Sequence, residues 1–311
     1  MTDPDAQLLA IVGPTATGKS EVALLVAERL DGEIVSADSM QVYRGMDIGT
    51  AKPTAEQRAR VPHHLIDILE PNESFSVSDH RSRADAALAD IWRRGRQPIL
   101  VGGSGLYVRA VVQEMDFSHV PPNPEFRRQL EREAREGGSR VLHERLGELD
   151  AAAAARLHPN DTKRIIRALE VVEGGGRPAP SLGSVDRVGV ARYNTRQFGL
   201  SLRREELYRR IDERVDRMVA AGLAEEVRAL LTRGCDEKLS SMKGLGYAQF
   251  VPYVRGDISL EEAVRRLKRD TRRFAKRQFT WFRADLGIEW IDVEEAGGPA
   301  GVAEIVEGKW E

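Results

Sequence analysis

The stretch Gly13–Ser20 reads GPTATGKS and fits the pattern G-x-x-x-x-G-K-[ST]. That order of residues suits one task. Backbone N–H groups of a glycine-bearing turn, with the first turn of a following helix, form a concave site for an anion as large as a diphosphate. Gly13, Pro14, Thr15, Ala16, Thr17 and Gly18 are expected to build the cradle with Lys19 and Ser20. Lys19 adds a charge on the phosphates, and the Ser20 hydroxyl offers a ligand to Mg2+. The motif specifies a phosphate chain and leaves open which molecule carries it. A second candidate is Asp38, in Ala37-Asp38-Ser39-Met40. It is placed to do chemistry, or equally to close an Asx-turn or cap a helix.

These residues need elements to position them. Leu8–Val12 is an apolar run of strand length, and Val22, Leu25, Val26, Ala27 and Leu30 recur at helical spacing after the loop. Asp31-Gly32 marks a turn, and Glu33–Ser36 reads as a second strand that ends just before Asp38. Pro98–Val101 is a third strand, ending in Gly102-Gly103-Ser104-Gly105. In an open α/β sheet such strand ends gather the functional groups. Gln41–Pro53 reads as a loop long enough to be functional. Helices are expected from Ser76 or Ser78 to Arg94 and over Leu106–Val112. His63 and His64 are adjacent, so their side chains point apart, and no metal site is expected there.

From Met115 the character changes. A proline-rich connector leads into charged helical segments, including Thr162–Val171, and Gly174-Gly175-Gly176 ends them. We read 115–191 as a helical insertion and Arg192–Leu202 as the return strand. Leu207, Ile211, Val215, Met218, Val227 and Leu230 mark two amphipathic helices divided at Gly222. Lys243 sits in a glycine-bearing loop. The helix near Ser259–Arg283 is the most basic stretch: Val264, Leu267, Phe274 and Trp281 share one side, cations cover the rest, and Asp270 is almost alone among them. Such a face reads as a phosphate-backbone contact surface.

Composition narrows the class. The chain has 311 residues, 41% hydrophobic and 31% charged, with a net charge of −2, so it is no polycation overall. Cys235 is the only cysteine, which excludes an internal disulfide and suits a reducing cytoplasm. No apolar run approaches the length of a membrane span, so a soluble, cytoplasmic protein without membrane partners is expected. A phosphate loop ordinarily means nucleotide hydrolysis or kinase chemistry. The basic segments at Lys163–Arg167 and Ser259–Arg283 point instead to a polyanionic partner.

GPTATGKS, IVSADSMQVYRGMDIGTAKP, VPHHLIDI, ILVGGSGLY, HPNDTKRIIRALEV, GYAQ and AKRQFTWFR follow one another along the chain. In that order, over nearly its whole length, the chain resembles the bacterial tRNA dimethylallyltransferase family. The resemblance implies an α/β fold: a P-loop NTPase-like parallel sheet core with an inserted helical domain. The division is 1–114 for the first part of the core, 115–191 for a tRNA-contacting insertion, and 192–311 for the remainder with its basic helices. It implies transfer of a dimethylallyl group from dimethylallyl diphosphate to the exocyclic amine of the adenine 3′ of the anticodon, with Mg2+, by a monomer. Asp38 would be the general base, and Lys19 and Lys243 would act on the diphosphate. Lys243 stands where the family often has arginine, so the bidentate fork is lost. Asp38, Ser39, Met40, Gln41, Ser104, Arg127, Lys163, Arg164, Ile165, Ile166 and Arg167 would touch the RNA, and Lys276 and Arg277 its backbone. The competing readings are an adenylate isopentenyltransferase, a P-loop small-molecule kinase, and a non-catalytic RNA-binding protein with a nucleotide switch.

Overall fold

The computed structural model describes residues 6–115, 117, 120, 121, 123–176, 178 and 190–310. The first five residues, Arg177 beyond the glycine stop, and Asp116, Ser118, His119 and Pro122 of the expected connector lie outside them. The chain forms two compact units, Met1–Gln113 with Val190–Glu311, and Glu114–Gly189.

In the first unit, strand β1 (Gln7–Val12) runs into the phosphate loop, and helix α1 (Lys19–Arg29) leaves it. Gly18 caps α1 in the left-handed region at φ 91°, a conformation cheap only for glycine. Strand β2 (Gly32–Ser36), helix α2 (Ala55–Arg60) and the two-residue strand β3 (His63–His64) follow. Helix α3 (Val77–Arg93) starts at Ser76 through a capping box with Asp79. Strand β4 (Gln97–Gly102) and helix α4 (Gly105–Val112) complete this half.

The second unit is helical among its described residues: α5 (Pro124–Gly137), α6 (Ser139–Leu149), α7 (Ala151–Arg156) and α8 (Thr162–Glu173). Leu130, Leu142, Leu146, Ile165, Ile166 and Leu169 form its core. The buried Glu170 joins Arg127 and Arg167, each at 2.7 Å, and accepts from the Asn123 N–H at 2.6 Å.

The chain then re-enters the sheet through β5 (Asn194–Ser201). Helices α9 (Arg204–Ala220) and α10 (Leu223–Thr232) meet at Gly222, which adopts φ 98°. Helices α11 (Tyr247–Arg255) and α12 (Leu260–Arg283), strand β6 (Ile288–Asp292) and helix α13 (Pro299–Trp310) close the fold.

The strands form one parallel, six-stranded sheet in the order β3-β2-β4-β1-β5-β6. Both faces are covered, which is why β1 is apolar at every residue after Gln7. Leu9 and Ile11 pack with α1 and α13, and Leu8, Ala10 and Val12 pack with α3 and α4. A third cluster gathers Val42, Tyr43 and Met46 of the Gln41–Pro53 loop against α10 and α11. No helix of the described residues is long and apolar enough to cross a membrane.

Candidate active site

The carboxyl ends of β1, β2 and β4 lie side by side, so the phosphate loop, Asp38 and Gly102–Gly105 meet there. Gly13 turns the chain off β1 at φ 133°, where a Cβ would sit 2.7 Å from the Leu200 carbonyl. Ala16 also adopts positive φ, 66°. Loop and helix start together bring successive N–H groups into one concavity, and those of Ala16 to Ser20 have no partner among the described residues. Two of the expected cradle residues are otherwise engaged. Pro14 has no N–H, and its carbonyl accepts from the Thr17 hydroxyl at 2.9 Å and from Lys19 Nζ at 2.5 Å. The Thr15 N–H donates to Gln278 Oε1 at 2.9 Å.

Among the cavities at this loop, two border Lys19. The larger, about 920 Å3, is lined by Ala16, Gly18, Lys19 and Ser20, by Lys52–Ala55, and by Arg210, Arg214 and Arg217 of α9. The smaller, about 100 Å3, is lined by Thr15, Asp38, Gln41, Gly102, Gly103, Phe274 and Gln278. Lys19, Ser20 and Arg214 border both, so cleft and cavity meet at the cations. The half-buried Lys19 ammonium is held far below its ordinary range, at about 7, by burial and then by the Arg214 charge, against the pull of Asp38. Burial also depresses Arg214, opposed by Asp38. Neither Arg214 nor Arg217 has a carboxylate partner among the described residues. A half-buried lysine beside a second cation, its proton weakened by burial first and by that charge second, suits an anion that would restore it.

Asp38 closes a turn and also lines a cavity. Its Oδ1 accepts from the Met40 N–H at 2.8 Å and the Gln41 N–H at 3.3 Å, an Asx turn. Its Oδ2 has no partner among the described residues, and the residue lines the small cavity with Lys19 and Arg214. One oxygen shapes the loop and the other is left for a ligand. Gln41 is tied down, accepting from the Ser36 hydroxyl at 3.1 Å and reaching the Thr50 and Ala51 carbonyls at 3.4 Å. Ser39, Met40 and Ser104 line neither cavity. Met40 packs inward, close enough that a Cβ on Gly244 would lie 2.5 Å from its Cε.

The Gln41–Pro53 loop forms one wall and is rigid for local reasons. Glu226 of α10 accepts the N–H groups of Asp47, Ile48 and Gly49 at 2.8, 2.8 and 3.0 Å, and the Tyr247 hydroxyl donates to it at 2.8 Å. The buried Lys52 ammonium donates to Asp47, Asp67 and the Tyr43 carbonyl. His64, adjacent to His63 in β3, hydrogen-bonds Glu33 at 2.7 Å.

Several expected contacts fall elsewhere. Lys243 is exposed at the end of a 3-10 turn, Ser241–Lys243, and lines neither cavity. The α9 cation that lines both cavities with the phosphate loop is Arg214, which the sequence alone does not single out. Ile165 and Ile166 are buried in the core of their own unit and present no surface to RNA. Arg164 pairs with Asp161, and Arg127 and Arg167 with Glu170, while the exposed Lys163 has no ion pair among the described residues. On α12 the buried face is Ala263, Leu267, Thr271, Ala275, Gln278 and Phe282, not the expected Val264, Phe274 and Trp281. Most of its cations are neutralised. Arg265 and Arg266 hold Glu262, Lys268 holds Asp216, Arg269 holds Asp270 and Arg272 holds Asp212. Lys276 and Arg277 remain exposed with no ion pair among the described residues, Arg277 stacking over Phe274.

The chain matches the family model described as IPP transferase over residues 41–285. It is 50% identical over 299 residues to the tRNA dimethylallyltransferase of Pelotomaculum thermopropionicum, covering 96% of this chain and 95% of that one. The enzyme of the same name from Desulforudis audaxviator is 51% identical over 304 residues, with 98% and 97% covered. Among solved structures, the full-length tRNA isopentenylpyrophosphate transferase of Bacillus halodurans is similar at a TM-score of 0.71 and 44% identity, covering 98% of this chain and 97% of that one. A eukaryotic dimethylallyltransferase described as acting on tRNA is similar at a TM-score of 0.76 and 27% identity, over 93% of this chain and 74% of that one.

Proposed function

The chain belongs to the IPP transferase family, and we propose that its cation-ringed cleft carries out prenyl transfer to an adenine of tRNA. It is a tRNA dimethylallyltransferase, taking its prenyl group from dimethylallyl diphosphate. The acceptor is the exocyclic amine of the adenine 3′ of the anticodon, reached by swinging that base out of the anticodon loop into the small cavity. The observation that carries this reading is the free Oδ2 of Asp38 in a cavity that opens onto Lys19 and Arg214.

The diphosphate lies in the larger cleft on the N–H groups of Ala16 to Ser20, with Lys19 and Arg214 against its oxygens. As the allylic C–O bond breaks, negative charge grows on the leaving oxygen, and these fixed charges stabilise it there. The amine nitrogen forms the new bond to the allylic carbon, and Asp38 Oδ2 takes the proton that the nitrogen sheds. Arriving anion restores the Lys19 proton that the free site has weakened. Ser20 fits a Mg2+ ligand. Its exposed hydroxyl has no partner among the described residues, and hard oxygen donors suit an ion held mainly by phosphates. Bound there, Mg2+ would supply further charge neutralisation on the diphosphate. Lys276 and Arg277 touch the RNA backbone. The reading places the enzyme in the cytoplasm and has one chain doing the work.

The test is transfer of label from dimethylallyl diphosphate, with Mg2+, to either an anticodon stem-loop or AMP. Labelled stem-loop with AMP untouched is expected. Labelled AMP would mean an adenylate isopentenyltransferase, and ATP turnover without prenyl donor a kinase.

A further inference from the structure

Gln278 lies on the buried face of α12, 7% exposed, and both ends of its amide are used. Its Oε1 accepts from the Thr15 N–H at 2.9 Å, and its Nε2 donates to the Gly103 carbonyl at 2.8 Å. One side chain thereby joins the phosphate loop after β1 to the glycine loop after β4. A primary amide offers an acceptor and a donor side by side without charge, which neither methionine nor an ionised glutamate can do. The fit is close. A Cβ on Gly103 would lie 2.3 Å from Nε2, and one on Gly105 would lie 2.0 Å from the Trp281 indole, one turn along the same helix. Gln278 also lines the small cavity with Asp38, Lys19 and Ser20.

On the prenyl-transfer reading, which this inference rests on, the phosphate loop holds the leaving group and the small cavity holds the nucleophile. We propose that Gln278 is a positioning residue that fixes the gap between these two loops, and with it the approach of the amine nitrogen to the allylic carbon. Misplacement by about 1 Å lowers a rate on the order of a hundredfold. Each substrate binds mainly to one loop, so loss of the tie falls on kcat and spares both KM values.

Gln278→Met removes both hydrogen bonds. Its single-turnover rate should fall roughly a hundredfold, with neither KM moving more than about threefold. Gln278→Glu gives a sharper signature. The ionised carboxylate can still accept from Thr15 but sets an oxygen against the Gly103 carbonyl. Burial and that oxygen raise the pKa of the acid, and its protonated form donates as the amide did. The rate of Gln278→Glu relative to wild type should therefore rise at least about tenfold from pH 8.5 to pH 6. A merely structural Gln278 would show that pH dependence in the melting temperature alone. A flat rate ratio in folded Gln278→Glu, or wild-type turnover by Gln278→Met, overturns the proposal. If Gln278→Met does not fold, the pH series of Gln278→Glu decides alone. Wild-type protein that transfers no prenyl group to RNA would sink the reaction reading instead. The tie itself would then be judged by melting: Gln278→Glu must gain stability relative to wild type as pH falls.

Discussion

Helices α9 and α12 are both rich in cations and use them in opposite ways. On α12 the density is higher, yet five of its cations hold carboxylates at 2.6–2.8 Å. Two of those carboxylates, Asp212 and Asp216, come from α9. Helix α9 thus sorts its charges by side. Its aspartates face α12, and its Arg214 and Arg217 face the phosphate loop without carboxylate partners among the described residues. Cation density along a sequence is a poor guide to local potential, because a neighbouring helix can cancel it. Among the cations left without a carboxylate partner in the described residues are Arg214 and Arg217, which line the cleft at the phosphate loop, and Lys276 and Arg277, which are exposed on α12.

That contrast ranks the expected losses. Lys19→Ala, which removes the charge nearest the departing diphosphate, should lower single-turnover transfer by about a thousandfold. Arg214→Ala should follow at about a hundredfold, with Arg214→Lys recovering only part because the fork is gone. Binding of dimethylallyl diphosphate should also take up a proton. Lys19 sits at about 7 in the free site, well below its ordinary 10.5, and a bound anion raises it again. Uptake should approach one proton at pH 8, where free Lys19 is mostly neutral, and fade by pH 5.5, where it is already charged. Calorimetry in buffers of differing ionisation enthalpy reads this, and uptake unchanged in Lys19→Met would assign the proton elsewhere. Replacing Lys276 and Arg277 together should weaken tRNA binding roughly tenfold near physiological salt and flatten its salt dependence, as lost phosphate contacts require. Least affected should be the paired cations. Arg265→Gln or Arg269→Gln should change tRNA affinity and melting by no more than exposed ion pairs do, under about 1 kcal/mol. If these outrank the Lys276 and Arg277 pair, the contrast between the helices is wrong.

The loop at Gly13–Ser20 was legible because a strand, a glycine turn and a helix must follow in that order, and its flanks say so. Asp38 was legible as a choice between base and turn; Oδ1 closes the turn, and Oδ2, without a partner among the described residues, is the oxygen the proposed base role uses. What was not legible depends on distant partners. Arg214 reads as one charge among many on a solvated face until α9 is set against the phosphate loop. Gln278 matters through hydrogen bonds spanning 263 and 175 residues. Ile165 and Ile166 sit between cations in sequence, but helical spacing turns them into the core of the smaller unit. Two residues, His63-His64, are too short a strand to show any period, and pairing with Ile34 and Val35 alone defines it.

The central claim is that Asp38 removes the proton from the attacking amine across the cavity from the diphosphate, and single-turnover transfer by Asp38→Asn tests it directly. Asparagine keeps the Oδ1 acceptor for the Met40 and Gln41 N–H groups, so the turn, the melting temperature and tRNA binding should barely change. It cannot take a proton, so transfer from labelled dimethylallyl diphosphate to an anticodon stem-loop should fall by about a hundred- to ten-thousandfold. Near-normal transfer by the folded asparagine variant, with loss of activity and stability appearing only in Asp38→Ala, would contradict it and leave Asp38 a turn residue.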